Sequence, residues 1–383
     1  MNTKVYIAGT GAVSSAGSLG DAWTALISGK HSITSDSDRG LLGVIPEPYE
    51  SSLNDLHYQK CYRSYDRVCL LALMASLDAS RRSDLSGYGT IYGSSRGATI
   101  SIEQQHLAFI ENKRIHALTS PMTTAGTLSA AVAKHCVGED AGLSLSVSSA
   151  CATGLHALGV GYGMIKAGVL PGALVGGAEA ANTDFTLQQL KEARVYSRKP
   201  ESIDGFPYRP FGDSRDGMIL GEGSAALVLS KEHSDVEVVG YGAATEKATM
   251  TGITGDGLKR SITAALNSAG LTPSNISVVV GHGAGTRRGD LAELNAYKSI
   301  FASEPPPLTS FKWLTGHMLG ASAAFSLAMA VEGLRRGSMP MLPYPSELLG
   351  GVMEPVKLKS RSAVLVCGLG FGGNAGAVIL VKE

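Results

Sequence analysis

The sequence repeats one plan of strands, glycine-rich turns and helices in its two halves. The strand-like segment at 5–17, VYIAGTGAVSSAG, has a counterpart at 236–248, VEVVGYGAATEKA. Three further pairs follow in the same order: 88–97 with 276–290, 143–168 with 307–337, and 221–230 with 373–383. Apolar strands that alternate with helices are typical of α/β proteins with buried sheets. We therefore predict two related α/β halves, residues 1–232 and 233–383.

The third pair of segments carries one reactive residue in each half. Cys151 lies in LSLSVSSACATGLHALGVGYGMIKAG, and His317 lies at the equivalent place in SFKWLTGHMLGASAAFSLAMAVEGLRRG. Each stands between a strand and an apolar helix, and helices that are apolar on most faces are buried. Pseudo-symmetry between the halves would therefore bring Cys151 and His317 together at the centre of the molecule.

Composition excludes several classes of protein. The formal net charge is zero and 17% of residues are charged, so no overall field favours nucleic acid or anionic lipid. Five widely spaced cysteines without a CxxC pair argue against a disulfide framework or a zinc site. The start, MNTKVYIAGTGAVSSAG, lacks the long apolar core of a signal peptide, and no apolar run is long enough to span a membrane. We expect a cytoplasmic protein without a bound metal.

Cys151 has the features of a nucleophile. A cysteine just before a helix feels the positive end of the helix dipole, which lowers a thiol pKa from about 8.5. Free N–H groups at the same place stabilise an oxyanion when the thiolate attacks a carbonyl. The neighbours are small and leave room for a substrate: Ser148, Ser149, Ala150 and Ala152. The alternative, a buried structural cysteine, suits Cys69 and Cys136 better.

Two of the nine histidines lie in distinctive glycine contexts. His282 occurs in GHGAGTRRGDLAE and His317 in KWLTGHMLGAS, where flanking glycines indicate close backbone approach and a fixed imidazole. Two such donors facing one thiolate can bind a thioester carbonyl and stabilise an enolate. GLGFGG at 368–373 satisfies GxGxxG, but a strand-like AVILV follows it. It therefore predicts a tight turn at the edge of the active site and not a dinucleotide site.

Five segments, in order, carry a family resemblance: SSACATGLHAL, RPFGDSRDGMILGEG, GHGAGTRRGDLAE, SFKWLTGHMLGA and GLGFGGNA. They resemble the β-ketoacyl-ACP synthases, in the elongating branch that has one cysteine and two histidines, and the match covers essentially the whole chain. The resemblance implies a thiolase-like fold, an α-β-α-β-α five-layer sandwich of two duplicated halves. It also implies decarboxylative Claisen condensation of malonyl-ACP with a cysteine-bound acyl group in fatty acid, polyene or polyketide synthesis. The chain would need no cofactor of its own, because the acyl carrier protein (ACP) brings the phosphopantetheine.

The resemblance assigns roles to individual residues. Cys151 matches the acyl-accepting nucleophile, and His282 and His317 match the pair that serves decarboxylation and condensation. Lys312 matches a lysine that biases the electrostatics of this site. Phe371 matches a gating aromatic whose loop lends a backbone N–H to the oxyanion hole.

Further matches and departures lie around these residues. Thr286 matches a threonine that contacts the phosphopantetheine arm, whereas Ala284 replaces a second such threonine. Asp290 and Glu293 match acidic residues that we expect to give mainly structural support. Ser326 stands where many relatives have a glutamate, which leaves the ionic partner of Lys312 open. These departures indicate a divergent member, from a polyene or polyketide pathway.

The resemblance also implies partners. An acidic carrier protein needs a local basic patch, for which Arg194 is the best candidate and Lys60, Arg63 and Arg67 are weaker ones. Simple solvation is the alternative for any single surface arginine. Synthases of this fold are dimers through a sheet edge beside the nucleophile, so we expect a homodimer, or a heterodimer with a second ketosynthase-like subunit.

Two other functions remain open at this point. The chain could be a partner subunit that resembles a chain length factor and shapes an acyl tunnel without condensing, but such proteins commonly lose the nucleophile that Cys151 provides. It could also be a CoA-dependent thiolase or an initiating synthase. Those enzymes pair the cysteine with a different set of residues, which disfavours this reading.

Overall fold

The computed structural model describes residues 3–198, 205–247, 249–250, 252–301, 305–351 and 354–383. The β-strands are β1 Tyr6–Ser14, β2 Gly17–Ser18, β3 Thr34–Asp36, β4 Gly40–Leu42, β5 Gly89–Gly93, β6 Ser144–Val147, β7 Gly172–Glu179, β8 Gly223–Ser230, β9 Val236–Thr245, β10 Ile276–Val280, β11 Leu308–Thr309, β12 Ser338–Met339, β13 Val356–Lys357, β14 Ala363–Gly370 and β15 Asn374–Lys382. The α-helices are α1 Leu19–Ile27, α2 Tyr49–Tyr58, α3 Arg67–Ser80, α4 Thr99–Asn112, α5 Thr119–Thr123, α6 Thr127–Val132, α7 Thr153–Lys166, α8 Asp184–Glu192, α9 Asp256–Ala269, α10 Arg287–Phe301, α11 Lys312–Thr315 and α12 Leu319–Arg336.

The main sheet has the same strand order in both halves. Its order is β11-β10-β14-β15-β9 followed by β1-β8-β7-β5-β6, with β2 paired to β1. If the strands on this path are numbered in chain order within each half, each half reads 3-2-4-5-1 from its outer edge to the middle of the sheet. In both halves the fifth strand, β8 or β15, runs antiparallel to its two neighbours. The predicted duplication is therefore confirmed in topology.

The layers follow from which strands are covered on both faces. All eight residues of β7, β8 and β14 are buried, as expected for central strands with helices on both sides. Helices α7 and α12 pack against each other and against strands of both halves. Helix α3 covers the outside of the first half, and α9 covers the outside of the second. The five-layer α/β sandwich is confirmed.

The two halves meet at the middle of the main sheet. Strands β1 and β9 share one backbone pair, Tyr6 with Glu237. The proposed boundary between residues 232 and 233 falls in the connection from β8 to β9 and remains a prediction. None of the described helices is both long and apolar enough to cross a membrane.

Small residues let the two central helices touch. A Cβ added at Gly154 of α7 would lie 2.6 Å from the Cβ of Ala324 in α12, well inside contact distance. Cys151 comes just before α7 and His317 just before α12. The close crossing therefore brings the loops that carry these two residues together.

Candidate active site

A cavity of about 910 Å³ brings together the residues that the sequence singled out. Cys151, His282 and His317 all form part of its wall, although they come from three separate loops. Phe371, Thr286 and Arg194 line the same cavity. Cys151 and His317, which the pseudo-symmetry predicts to meet, therefore line the same cavity.

The loop that carries Cys151 is held in a sharp turn between β6 and α7. Ala150 has a φ of 50°, which is unusual for a residue with a side chain. The Thr153 hydroxyl donates to the Ala150 carbonyl over 2.6 Å and accepts the Ser149 N–H over 2.8 Å. A Cβ at Gly370 would lie 2.7 Å from the Ser149 carbonyl oxygen, so only glycine fits against this turn. These contacts fix the position of the thiol before any substrate binds.

The protonation of Cys151 differs from the expectation based on its place before a helix. Burial raises the pKa of the Cys151 thiol to about 12, and the positive charges of Lys312 and Arg96 oppose this rise. The thiol is only 6% exposed, so the loss of hydration outweighs the stabilisation of a thiolate at the helix start. The thiol is therefore protonated at neutral pH, and acyl transfer must include removal of its proton.

The tautomer of His317 follows from its hydrogen bonds. The Leu319 N–H donates to His317 Nδ1 over 3.1 Å, and the Ser322 hydroxyl lies 2.8 Å from the same nitrogen. Burial lowers the pKa of His317 well below its usual value, so the ring is neutral. Because Nδ1 accepts, the proton lies on Nε2. This buried Nε2–H has no hydrogen-bond partner among the described residues, and it is a donor available to a substrate oxygen.

His282 lies next to His317 and is also neutral. The two ring centroids are 5.4 Å apart, and the rings meet at an angle of 73°. Burial, together with the charge of Lys312, lowers the pKa of His282 well below its usual value. The backbone of this loop is held by Glu293, which accepts the His282 N–H over 2.5 Å and the Gly283 N–H over 2.9 Å. The site therefore presents two neutral imidazoles beside the thiol.

Lys312 supplies the positive charge in this group. Its Nζ donates to the His282 carbonyl oxygen. Burial lowers the pKa of Lys312 to about 8, and the charge of Glu293 opposes this most strongly, so Lys312 is still protonated at pH 7. Ser326 is buried in α12 and carries no charge. Glu293, together with Asp290, is therefore the acidic partner of Lys312, which the sequence left open.

Asp290 connects the His282 loop to the segment before β8. It accepts the Phe211 N–H over 2.7 Å and the Gly285 N–H over 3.0 Å, and Arg215 Nε lies 3.4 Å away. Burial raises the pKa of Asp290 to about 7, while the Phe211 N–H acts against the rise. Thr286, which follows Gly285, is half-buried on the cavity wall. Asp290 thus positions the loop that would meet the arm of a substrate.

Glu179 is an organising residue that the sequence reasoning missed. It ends β7, is fully buried, and accepts the Ser94 hydroxyl over 2.7 Å and the Ser95 N–H over 2.9 Å. It also accepts the Gly320 N–H over 2.9 Å at the start of α12. The carboxylate therefore links the loop after β5 to the helix that follows His317. The only signal in the sequence is one charged residue at the end of the apolar strand GALVGGAE.

Phe371 lies at the turn between the last two strands of the sheet. The predicted tight turn in GLGFGG is confirmed, because β14 ends at Gly370 and β15 starts at Asn374. Phe371 is half-buried and packs in the same apolar cluster as Cys151. The neighbouring Gly373 accepts a hydrogen bond from the Glu246 N–H over 2.9 Å, which holds the turn against the end of β9.

The four cations suggested for carrier docking lie in different surroundings. Arg194 is exposed at the cavity, and its wall contains three further arginines: Arg198, Arg287 and Arg288. Lys60 and Arg63 are exposed but are not among the described residues that line the cavity.

Arg67 does not fit a docking role. It is half-buried, and its guanidinium pairs with Glu50 at 2.6 Å and with Glu222 at 2.9 Å. A cation that two carboxylates already hold has little charge left for a partner, so we remove Arg67 from the candidates. Within the described part of the chain, no group of three or more His, Cys, Asp or Glu residues is arranged to hold a metal ion.

Comparison with known proteins shows the family. The β-ketoacyl synthase N-terminal domain model matches residues 2–235, and the C-terminal domain model matches residues 236–343. The chain therefore belongs to the β-ketoacyl synthase family, which is a family of acyltransferases.

Individual relatives match along the full length. The chain is 28% identical to 3-oxoacyl-[acyl-carrier-protein] synthase 2 of Vibrio cholerae, with 99% of each chain covered. A solved β-ketoacyl synthase from Burkholderia phymatum is 26% identical and has a TM-score of 0.85, and the match covers 100% of both chains. The solved ishigamide ketosynthase/chain length factor is 23% identical with a TM-score of 0.88 over both complete chains, and this likeness shows the fold alone.

Proposed function

We propose that the chain is a β-ketoacyl-[acyl-carrier-protein] synthase that elongates a Cys151-bound acyl group. The observation that carries the proposal is the shared cavity of Cys151, His282 and His317, in which both imidazoles are neutral. Neutral N–H donors suit a carbonyl oxygen that gains negative charge during a reaction. A third group, the charged Lys312, strengthens this preference for developing negative charge.

The proposed reaction has three steps. Cys151 sulfur attacks the thioester carbon of acyl-ACP, the carrier thiol leaves with a proton, and the acyl group stays on Cys151. Malonyl-ACP then loses carbon dioxide, and the electron pair of the broken C–C bond becomes an enolate whose oxygen faces the two histidines. The enolate carbon attacks the acyl thioester, a new C–C bond forms, and Cys151 sulfur leaves as thiolate to take up a proton.

His317 has the clearest role in this scheme. Its Nδ1 already accepts from the Leu319 N–H, so the ring is fixed with Nε2–H as the free donor. A donor in place before the reaction needs no reorganisation when charge develops on the enolate oxygen. We assign the second donor to His282, and the oxyanion of the acyl transfer to backbone N–H groups at Cys151 and Phe371.

The basic rim of the cavity supports an acidic carrier protein as the source of both substrates. Arg194, Arg198, Arg287 and Arg288 line the cavity although the chain has no net charge. A carrier that docks at this rim could pass its phosphopantetheine arm along Thr286 to Cys151. The arm belongs to the substrate, so the proposed enzyme has no cofactor of its own.

A second ketosynthase-like chain is the partner that we propose for the surface around α4 and the edge strand β6. Seven apolar side chains around α4 and the edge strand β6 are 40–58% exposed: Ile102, Leu107, Phe109, Ile110, Ile115, Leu118 and Leu143. An exposed apolar edge of a sheet is normally covered by another chain. A charge at Leu107 should reduce the mass of the assembly in solution, whereas the same change at exposed Val169 should not. An unchanged mass for Leu107→Glu would contradict this interface.

The test of the proposed function is acyl loading followed by condensation. The purified chain is given a panel of acyl-ACPs, and intact mass should show an acyl adduct that Cys151→Ala abolishes. Adding malonyl-ACP should release carbon dioxide and give the elongated product. If the chain takes no acyl group alone but supports condensation by a co-expressed ketosynthase, it is a partner subunit of the chain-length-factor type, and the proposal fails.

A further inference from the structure

Tyr297 is a buried phenol that the reaction above does not use. It lies four residues after Glu293 on α10, so both side chains share one face of the helix. The residue is 4% exposed, and its hydroxyl donates to Glu293 Oε1 over 2.5 Å. A hydrogen bond from a buried hydroxyl to a carboxylate is among the stronger side-chain interactions. This hydrogen bond therefore acts directly on the position and the ionisation of Glu293.

Glu293 passes this contact on to the catalytic loop. Its Oε1 also accepts the His282 N–H, and its Oε2 accepts the Gly283 N–H. The carbonyl of His282 in turn accepts from Lys312 Nζ. A continuous set of hydrogen bonds thus runs from Tyr297 through Glu293 and the backbone of His282 to Lys312.

The charges in this set depend on one another. Burial raises the pKa of Glu293, and the Tyr297 hydroxyl is the strongest of the groups that oppose the rise. Burial lowers the pKa of Lys312 to about 8, and Glu293 is the strongest of the groups that oppose that fall. The ionisable groups around Glu293 come from α10, α11 and β14: Asp290, Tyr297, Lys312 and Cys367. The ionisable groups that oppose the fall for Lys312 are Glu293, Cys151 and Asp290, and Lys312 also faces His282 and His317, whose pKa values its charge lowers.

We propose that Tyr297 is a positioning residue of the condensing site, whose hydroxyl keeps Glu293 ionised and in place and thereby holds the His282 backbone and the charge of Lys312. The consequence for condensation rests on the function proposed above. The structural part of the proposal, that Tyr297 and Glu293 keep the His282 loop in place, does not depend on that function.

Removal of the Tyr297 hydroxyl should shift the pH dependence of decarboxylation in one direction. Tyr297→Phe takes one donor from ionised Glu293, so the pKa of Glu293 rises and its negative charge weakens. Lys312 then loses its proton at lower pH. The limb of the pH–rate profile that falls at high pH moves to lower pH by about half a unit, which is about a twofold loss of malonyl-ACP decarboxylation at pH 8 and about a threefold loss at pH 9.

Two measurements on the full chain test this. The first is the pH–rate profile of carbon dioxide release from malonyl-ACP for the wild type and Tyr297→Phe. The second is amide hydrogen exchange of the peptide that contains residues 281–286, which should become faster in the variant because Glu293 holds the loop less firmly. Tyr92→Phe is the control, since Tyr92 is an equally buried phenol that bonds Ser224 in the first half. It should leave both measurements unchanged.

A double variant separates positioning from a general loss of packing. In Glu293→Gln the carboxylate is gone, so adding Tyr297→Phe should change the rate by less than about 1.5-fold. Independent, multiplying effects would overturn the proposal, as would identical pH profiles for the wild type and Tyr297→Phe. If the wild type releases no carbon dioxide, the proposed function fails instead, and hydrogen exchange still decides whether Tyr297 holds the loop.

Discussion

The loop of Cys151 and the loop of His282 are held in different ways, although the two halves share one topology. The Cys151 loop is fixed by a hydroxyl, backbone groups and the close approach of Gly370. The His282 loop is fixed by two fully buried carboxylates, Asp290 and Glu293. The Cys151 loop is therefore held by neutral groups, and the His282 loop is held by two carboxylates.

The difference suits the proposed division of work between the halves. A carboxylate close to the Cys151 thiol opposes thiolate formation, as the buried Glu179 already does, so a carboxylate that holds the loop itself would bring no gain. A site where an enolate forms benefits from a protonated lysine, and a buried lysine keeps its proton only if acidic groups compensate for the loss of water. The charged network around Lys312 meets this need.

The largest expected effect separates acyl loading at Cys151 from decarboxylation beside the histidines. His317→Ala removes the free Nε2–H donor, so decarboxylation of malonyl-ACP should fall about 10²- to 10³-fold, as for loss of one donor to an oxyanion. Acyl loading of Cys151 should fall much less, since its oxyanion is assigned to backbone N–H groups. Carbon dioxide release and intact mass measure the two steps separately. An equal loss in both steps would contradict the assignment of the two oxyanions to different groups.

The next effect concerns the helix contact that brings the Cys151 loop and the His317 loop together. Gly154→Ala places a methyl group 2.6 Å from the Cβ of Ala324, which should lower the free energy of unfolding by about 1–3 kcal/mol. Gly163 lies on the same helix with no atom near its missing Cβ. Gly163→Ala should therefore raise the free energy of unfolding by about 0.5–1 kcal/mol. Chemical denaturation measures both, and a Gly154→Ala variant as stable as the wild type would mean that α7 and α12 do not cross this closely.

The third effect tests the charge of Lys312, which donates to the carbonyl of the His282 loop. Lys312 is protonated below its pKa of about 8, so a decarboxylation rate that depends on its charge should fall as the pH rises through this value. The loss should approach tenfold for each pH unit above it. Lys312→Met should be slow at all pH values and lack this limb. A wild-type profile that is flat from pH 7 to 9 would exclude Lys312 as the group responsible.

The two related α/β halves and the meeting of Cys151 with His317 could be predicted because they depend on local patterns. Apolar strands, glycine turns and one reactive residue before each central helix are visible in short segments, and the duplication relates them to one another. Partners that are distant in the sequence could not be predicted in this way. Glu179 meets Ser94 and Gly320, which lie 85 and 141 residues away, and Arg67 meets Glu222 at a separation of 155.

The protonation states were the least predictable feature. A cysteine before a helix indicates a lowered pKa, but the depth of burial that reverses this for Cys151 follows from the packing of both halves. The same holds for Lys312 on α11, because its counterpart Glu293 lies on a different helix, α10. Sequence patterns located the reactive groups, and tertiary packing sets their charges.

The smallest expected effect tests the rim of the cavity, where both halves contribute arginines. Arg194 comes from the first half and Arg287 and Arg288 from the second, and all three line the cavity. Arg194→Glu should raise the KM for acyl-ACP about three- to fivefold, because an exposed charge contributes less than about 1 kcal/mol to an encounter. The change should shrink as salt is added, and kcat should stay close to the wild-type value.

The controls for Arg194 use both a second variant and a second substrate. Arg63 is exposed but is not among the described residues that line the cavity, so Arg63→Glu makes the same charge change away from the rim. A pantetheine thioester without the carrier protein cannot use a docking surface. If Arg194 contacts the carrier, Arg194→Glu alone should raise the KM, and only for the carrier-bound substrate. Equal effects on both substrates would place Arg194 on the path of the pantetheine arm, and equal effects of both variants would leave only a general attraction between the carrier and the positive charge of the protein.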